Sequence, residues 1–243
     1  SLYTHPGWVG ELNRESISLF IRYGYVPLPQ TIWKGISKVL PGSLLKLTAD
    51  TPVGVIPEPT FFWRAVDAAC RNNRVDMDEQ TASDELDKRL RKTVASQMIS
   101  DVPIGAFLSG GVDSSTVAAL MQVQSSQKIK TFATGFEQID YNEAEHAKAV
   151  AAHLGTDHYE LYISAREASE AIPLLTSIYD EPFGDTSQIP TYLLAKMARQ
   201  KVTVCLSGDG ADEIFGGYTR YNLGTALWRA LSKLSPSLRL LAS

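Results

Sequence analysis

The 243-residue sequence predicts an α/β protein built on a doubly wound parallel sheet, and three observations carry that prediction. From residue 104 onward, short apolar stretches of strand character alternate with amphipathic helical ones. Two of those strands run straight into serine–glycine loops, and an open parallel sheet keeps its ligand sites at such strand ends. The composition, 44% hydrophobic and 21% charged, supplies a core of ordinary globular kind and excludes disorder as the main state. No run of about 18 apolar residues occurs, which excludes a spanning helix, and no membrane partner is expected. With 23 Lys and Arg against 27 Asp and Glu, the net charge of −4 argues against a standing grip on nucleic acid. Cys70 and Cys205 cannot make a disulfide framework, and a reducing cytosol is the expected compartment.

At roughly 150 residues per domain, the length suggests about one and a half domains. Residues 1–7 are polar and turn-rich, with no charged stretch before an apolar core, so no secretory signal is read there. No initiator Met is present, and the chain reads as an internal piece of a longer protein. Leu19, Phe20 and Tyr23 stand at helical spacing and predict a short helix over 13–24. Pro27, Pro29, Pro41, Pro52, Pro57 and Pro59 favour short extended segments and turns over 25–60, with the best strand at 44–47. Residues 61–80 read as a connector, from Phe61-Phe-Trp63 to polar Arg71-Asn-Asn-Arg74. Leu86, Leu90, Val94 and Met98, spaced by four, predict an amphipathic helix from Thr81, capped by Thr81 with Asp84 or by Ser83. The mixed charges over 84–92 are its solvated face.

Strands are then expected at 104–108, 131–136, 158–163 and 202–206. Helices are expected at 114–122, 142–154, 166–178 and 188–200. Asn142 with Glu145 fits a capping box, Gly155 fits the C′ position, and Pro190 falls in a first turn. The stretch 219–243, with Trp228, Leu231, Leu234 and Leu238, reads helical.

The first loop is Leu108-Ser109-Gly110-Gly111-Val112-Asp113-Ser114-Ser115. Its glycines permit positive φ and close backbone approach, and its serines bring hydroxyls. The helix behind it offers unpaired N–H groups and a positive dipole end. These make an anion cradle suited to phosphate, and Asp113, which would repel bare phosphate, suggests a bridging Mg²⁺. The pattern GxxxxGK[ST] is absent, so this is no ordinary P-loop. The alternative is a plain glycine turn between strand and helix. The second loop, Ser207-Gly208-Asp209-Gly210-Ala211-Asp212-Glu213, repeats the theme of glycines with aspartate.

The string from Ser109 to Ser114 resembles the pyrophosphate loop of the ATP pyrophosphatases, which cleave ATP between the α and β phosphates and adenylate a substrate. The wider match is to the glutamine-hydrolysing asparagine synthetases. It takes in residues 101–108, Asn142-Glu143, His153-Leu-Gly-Thr156 with His158, residues 180–185, Ile189-Pro-Thr-Tyr192, and 206–218. Arg22-Tyr-Gly-Tyr25, Lys34-Gly-Ile36 and Leu40-Pro-Gly42 look like the end of that family's glutaminase domain, whose nucleophilic Cys has no counterpart here. The resemblance implies an adenine nucleotide alpha hydrolase-like sheet of the ATP-pyrophosphatase type. It divides the chain into a glutaminase remnant over 1–60, the connector over 61–80, and a synthetase domain over 81–243, truncated before the family's lysine-bearing helices.

The resemblance further implies that aspartate attacks the α-phosphorus of ATP to give β-aspartyl-AMP, which ammonia from glutamine converts to asparagine. Pyrophosphate would sit on Ser109, Gly110, Gly111, Ser114 and Ser115. Asp113 and Asp212 would hold Mg²⁺. Leu108 and Thr134 would meet the adenosine, with Ser207 and Gly208 closing its other side. Asp209 stands where well-known members carry Glu, in a catalytic position. The shorter side chain means either a re-tuned site or a different carboxylate acceptor. A homodimer stays open.

Plainer readings stand beside these. Asp209 suits an Asx-type turn and Asp212 a helix N-cap. Asp180-Glu181 either lines the acceptor side, as the family similarity suggests, or is an ordinary loop. His146 and His153 stand two helical turns apart, with His158 following, but no third ligand at zinc-site spacing appears, and the histidines read as packing or surface residues. Cys205 reads as an inert core residue, and Cys70 as an exposed thiol without a base. The competing function class is a non-catalytic nucleotide-binding fragment. Another adenylating enzyme, such as a GMP or NAD synthetase, is a third reading, and the Ser207–Tyr218 string counts against it.

Overall fold

The structure is a computed structural model that describes residues 4–70, 76–136 and 142–232. The chain divides into two compact units, 1–81 with 166–191 and 82–165 with 192–243.

In the first unit, α1 (Arg14–Tyr23) takes the place of the helix expected over 13–24. Asn13 caps it by accepting the Glu15 N–H at 3.1 Å, and Gly24 ends it at φ 77°. The strand expected over 44–47 shrinks to a two-residue ladder, β1 (Ser43–Leu44) antiparallel to β2 (Thr60–Phe61). Leu44 and Leu47 are both mostly exposed, so no buried face extends it. A short α2 (Ala65–Cys70) opens the connector, whose Arg71–Arg74 stretch lies outside the described residues.

The single helix expected over 166–178 is broken into α6 (Ala165–Ala171), a 3₁₀ turn (Ile172–Leu174) and α7 (Leu175–Ile178). Pro173 accounts for the break, because its ring lacks a donor and crowds the carbonyl one turn back. The loop that follows is fastened to the N-terminal stretch. Glu181 accepts the Ile32 N–H at 2.7 Å with one carboxylate oxygen and pairs with Lys38 through the other. Lys38 also donates to the Val26 carbonyl at 3.1 Å. Nothing local in either stretch announces a contact between residues 149 apart.

The second unit carries the sheet. Helix α3 (Glu79–Gln97) starts before Thr81, because Asp78 accepts the Thr81 N–H at 2.8 Å and caps the turn in place of Thr81 or Ser83. Leu90, Val94 and Met98 pack on the core, while Arg89 with Glu85 and Arg91 with Asp87 form the solvated face. Strands β3 (Ile104–Phe107), β4 (Lys130–Phe136), β5 (Asp157–Ile163) and β6 (Val204–Leu206) form one parallel sheet in the order β5-β4-β3-β6.

Strand alternation sends Ala106, Leu108 and Ala133 into a core with Leu120 and Met121 of α4 (Val112–Gln124) and Ala147 and Ala151 of α5 (Ala144–Leu154). Phe107 and Phe132 point to the other face, packed with Leu194 and Ala198 of α8 (Gln188–Ala198). Helices therefore cover both faces, as the doubly wound class requires. Asn142 accepts the Ala144 N–H at 3.2 Å and Gly155 closes α5 at φ 70°. The Glu145 carboxylate accepts the Tyr162 hydroxyl at 3.5 Å, so only the Asn142 half of the expected capping box is seen. Two helices follow β6, α9 (Ala211–Phe215) and α10 (Thr219–Leu231). Leu234 and Leu238 lie outside the described residues. Among the described residues, no helix is long and apolar enough to cross a membrane.

His158 on β5 gives the second unit a pH-dependent stability. Its Nδ1 lies 2.9 Å from the Thr131 hydroxyl, which lies 2.8 Å from that of Thr156. Burial holds the imidazole below its ordinary value of 6.5, against a smaller upward pull from Glu160 and a further downward one from Lys148. The unfolded chain therefore takes up a proton that the folded one resists. The contribution is complete above about pH 6.5 and falls away as the pH drops below it. Thermal midpoints at pH 7.5 and 5.0 are expected to differ less in His158→Gln than in the wild type. Equal differences would remove His158 as the cause.

Candidate active site

The strand order places the site. The chain winds from β3 outward to β5, then returns past β3 to lay down β6 on its other side. In a sheet of this kind, the reversal leaves a crevice beyond the carboxyl ends of the two flanking strands. Those ends belong to β3 and β6, paired with Gly105 opposite Cys205 and Ala106 opposite Leu206. Both serine–glycine loops therefore leave the sheet side by side at the same rim.

They also touch. A Cβ built on Gly208 would lie 2.8 Å from the Ser114 nitrogen and 2.9 Å from the Asp113 carbonyl carbon. The second loop is thus packed against the first turn of α4, with no room for a side chain between. Gly110 does the same on the other side: at φ 81°, its Cβ would lie 2.6 Å from the Ala147 nitrogen and 2.7 Å from the His146 carbonyl carbon. The backbone of α5 is the floor under the first loop, a role for His146 that spacing alone could not reveal.

The first loop is held by its own hydroxyls. Ser114 Oγ accepts the Ser109 N–H at 3.1 Å, lies 2.8 Å from Ser109 Oγ, and donates to the Gly111 carbonyl at 3.3 Å. Ser109 Oγ accepts the Gly111 N–H at 3.3 Å. Ser114 is buried, and its hydroxyl is spent on shaping the turn. The Ser115 Oγ is buried with no hydrogen-bond partner among the described residues. Gly111 occupies the N-cap of α4 without a side-chain acceptor, which leaves the first-turn N–H groups to meet an anion. Asp113 stands in that first turn.

In the second loop, Ser207 Oγ donates to Asp209 Oδ2 at 3.1 Å and accepts the Asp209 N–H at 3.4 Å. Asp209 is thus exposed in a local turn of the kind its sequence setting allowed. Asp212 lies in the first turn of α9, whose N-cap Gly210 has no side-chain capping bond. The Leu108 side chain is 1% exposed in the core, on the α4 and α5 face. Thr134 shares the face of Phe132, on the opposite side. What those two offer a ligand in common is backbone at the rim.

Asp113 and Asp212 bring hard oxygen donors, and among the described residues no group of three His, Cys, Asp or Glu side chains is arranged to hold a metal. Two carboxylates suit a cation whose remaining positions go to phosphate oxygens and water, as with Mg²⁺. Burial pushes the Cys205 thiol up to about 11, which makes it inert, and Cys70 is exposed. In the first unit, a cavity of about 510 Å³ is walled by Ile32, Trp33, Tyr179 and Phe183, with Asp180 and Glu181 at its edge. Glu181 is there engaged with Lys38 and Ile32.

Comparison with known proteins adds four matches. A family model described as asparagine synthase matches residues 85–243. A protein of Methanocaldococcus jannaschii, provisionally named asparagine synthetase [glutamine-hydrolyzing] 2, is 37% identical over 233 residues, covering 96% of this chain and 43% of its own. Asparagine synthetase [glutamine-hydrolyzing] 1 of Bacillus subtilis is 36% identical over 215 residues, covering 87% of this chain and 32% of its own. The chain thus spans less than half the length of these curated relatives. Among solved structures, the NH3-dependent NAD synthetase of Campylobacter jejuni aligns at 17% identity and a TM-score of 0.38, over 58% of this chain and 61% of that one.

Proposed function

The chain belongs to the asparagine synthase family, and from that premise we propose that it carries the ATP-dependent, amide-forming half of a glutamine-hydrolysing asparagine synthetase. The observation that carries the reading is the junction of the two serine–glycine loops at one rim, between β3 and β6. The β-carboxylate of aspartate attacks the α-phosphorus of ATP. The bond from that phosphorus to the bridging oxygen breaks, and pyrophosphate leaves. Ammonia then displaces AMP from β-aspartyl-AMP, forming the amide of asparagine. Residues 1–60 read as the end of a glutaminase domain, and the synthetase domain begins near residue 81.

Positioning and charge stabilisation account for most catalysis of this kind. The N–H groups at the start of α4 and the hydroxyls of Ser109 and Ser115 receive the pyrophosphate, on a turn that Ser114, Gly110 and Gly111 hold in shape. Gly208 and Ser207, seated against the start of α4, close the other side of the adenosine, with backbone at Leu108 and Thr134 meeting it. Asp113 and Asp212 would hold Mg²⁺, which when bound offsets the charge of the leaving phosphates. Asp209, braced by Ser207, reaches the acceptor side, where its carboxylate supports intermediate formation.

Pyrophosphate release from Mg-ATP, measured with and without aspartate, tests the proposal. Release is expected to depend on aspartate and to fall at least ~10²-fold in Asp113→Ala, the scale of one lost charge-stabilising group. Release that depends on another carboxylate would reassign the acceptor. A chain that binds Mg-ATP but releases nothing with any acceptor would favour the non-catalytic reading.

A further inference from the structure

Between α9 and α10 the backbone turns a tight corner through Gly216 and Gly217, with the Asp212 carboxylate packed against it. Gly216 ends α9 at φ 69°, in the left-handed region where glycine is favoured. Gly217 is different. Its φ is not positive, so nothing in its backbone demands glycine. What demands it is space. A Cβ built on Gly217 would fall on Asp212 Oδ1, far inside van der Waals contact, and 3.1 Å from Asp212 Cγ.

The corner has little freedom to yield. The Gly217 N–H donates to the Asp212 carbonyl at 3.1 Å. The Tyr218 hydroxyl donates to Glu213 Oε1 at 2.8 Å, which ties the far side of the corner back to α9. The Arg220 guanidinium lies 4.1 Å from the centre of the Tyr218 ring, a cation–π contact that backs this tie.

We propose that Gly217 is a positioning residue for the Asp212 carboxylate: the side chain it lacks is the space in which that carboxylate sits. The proposal rests on the reading of Asp212 as a cation ligand. Alanine at 217 meets only the far end of a short side chain, so the carboxylate rotates away and the fold survives.

The test is ATP binding by calorimetry on the full chain across a Mg²⁺ titration, with thermal midpoints alongside. Gly217→Ala is expected to raise the Mg²⁺ concentration for half-maximal ATP binding about ten-fold, and to leave binding without Mg²⁺ unchanged. Asp212→Asn is expected to raise that Mg²⁺ concentration at least as much, and the double variant to be no worse than Asp212→Asn, because the two substitutions remove one interaction. A shift in Asp212→Asn without one in Gly217→Ala overturns the proposal alone, as do effects that multiply in the double variant. No shift in Asp212→Asn overturns the reading beneath it, and the proposal with it. Where Gly217→Ala lowers the thermal midpoint, the loss is expected to vanish in an Asp212→Ala background. A loss that persists there overturns the shared space.

Discussion

Gly208→Ala is expected to part the two loops and to slow pyrophosphate release about 10²-fold, with the fold intact. The added methyl meets backbone on the far side, at the Ser114 nitrogen and the Asp113 carbonyl carbon, so no rotamer change can relieve it. One loop must move. The tips of β3 and β6 stay in register through the ladder beneath them, and the displacement falls on the loops themselves. A shift of about 1 Å at a reacting centre costs about 10²-fold in rate. Overpacking of this kind costs roughly 1–3 kcal/mol of stability, which most folded domains survive. The measurements are steady-state pyrophosphate release and the thermal midpoint. Release at the wild-type rate would mean that the junction between the loops has no part in the chemistry.

Gly110→Ala is expected to be the more damaging change to stability. Two costs combine there. At φ 81° an L side chain pays about 1–2 kcal/mol, and the methyl also runs into the backbone of α5 at His146 and Ala147. With overpacking included, the loss comes to about 3 kcal/mol, or roughly 6–12 °C in thermal midpoint for a unit of this size. Gly155→Ala separates the two terms. Gly155 has φ 70° but nothing within 4 Å of where its Cβ would be, so it carries the conformational cost alone. A Gly110→Ala midpoint no lower than that of Gly155→Ala would show that α5 gives way freely beneath the loop.

Much of the second unit was legible along the chain because its signals are local. Ala144, Ala147 and Ala151 repeat at helical spacing and face the core. The strand expected at 131–136 is present within β4, and Gly155 marks a helix end that closes at φ 70°. Helix boundaries differ where two local signals compete. Asp78 supplies the cap of α3 from outside the apolar stripe, so the helix starts earlier than the stripe suggests. Pro173 was visible, yet the helical spacing around it reads as one helix until the missing donor is counted.

The candidate site divides in the same way. Ser109, Gly110, Gly111, Asp113 and Ser114 stand together in the chain and fold into one turn, so their pattern was readable. Tyr218 and Glu213 lie within the 206–218 stretch, but only the corner at Gly216 gives their bond a purpose.

Sequence alone determined the two loops, their glycines and carboxylates, and the alternation that requires a parallel sheet, since each depends on neighbours in the chain. The tertiary structure decided what fills the space beside the glycines of the site: the backbone of α5 at Gly110, the start of α4 at Gly208, and the Asp212 carboxylate at Gly217. It also decided that Glu181 answers to Lys38 and Ile32. The physical reason is that a missing side chain has meaning only through what fills its space, and the strand order and chain return that bring the filler there leave no mark on the residue itself.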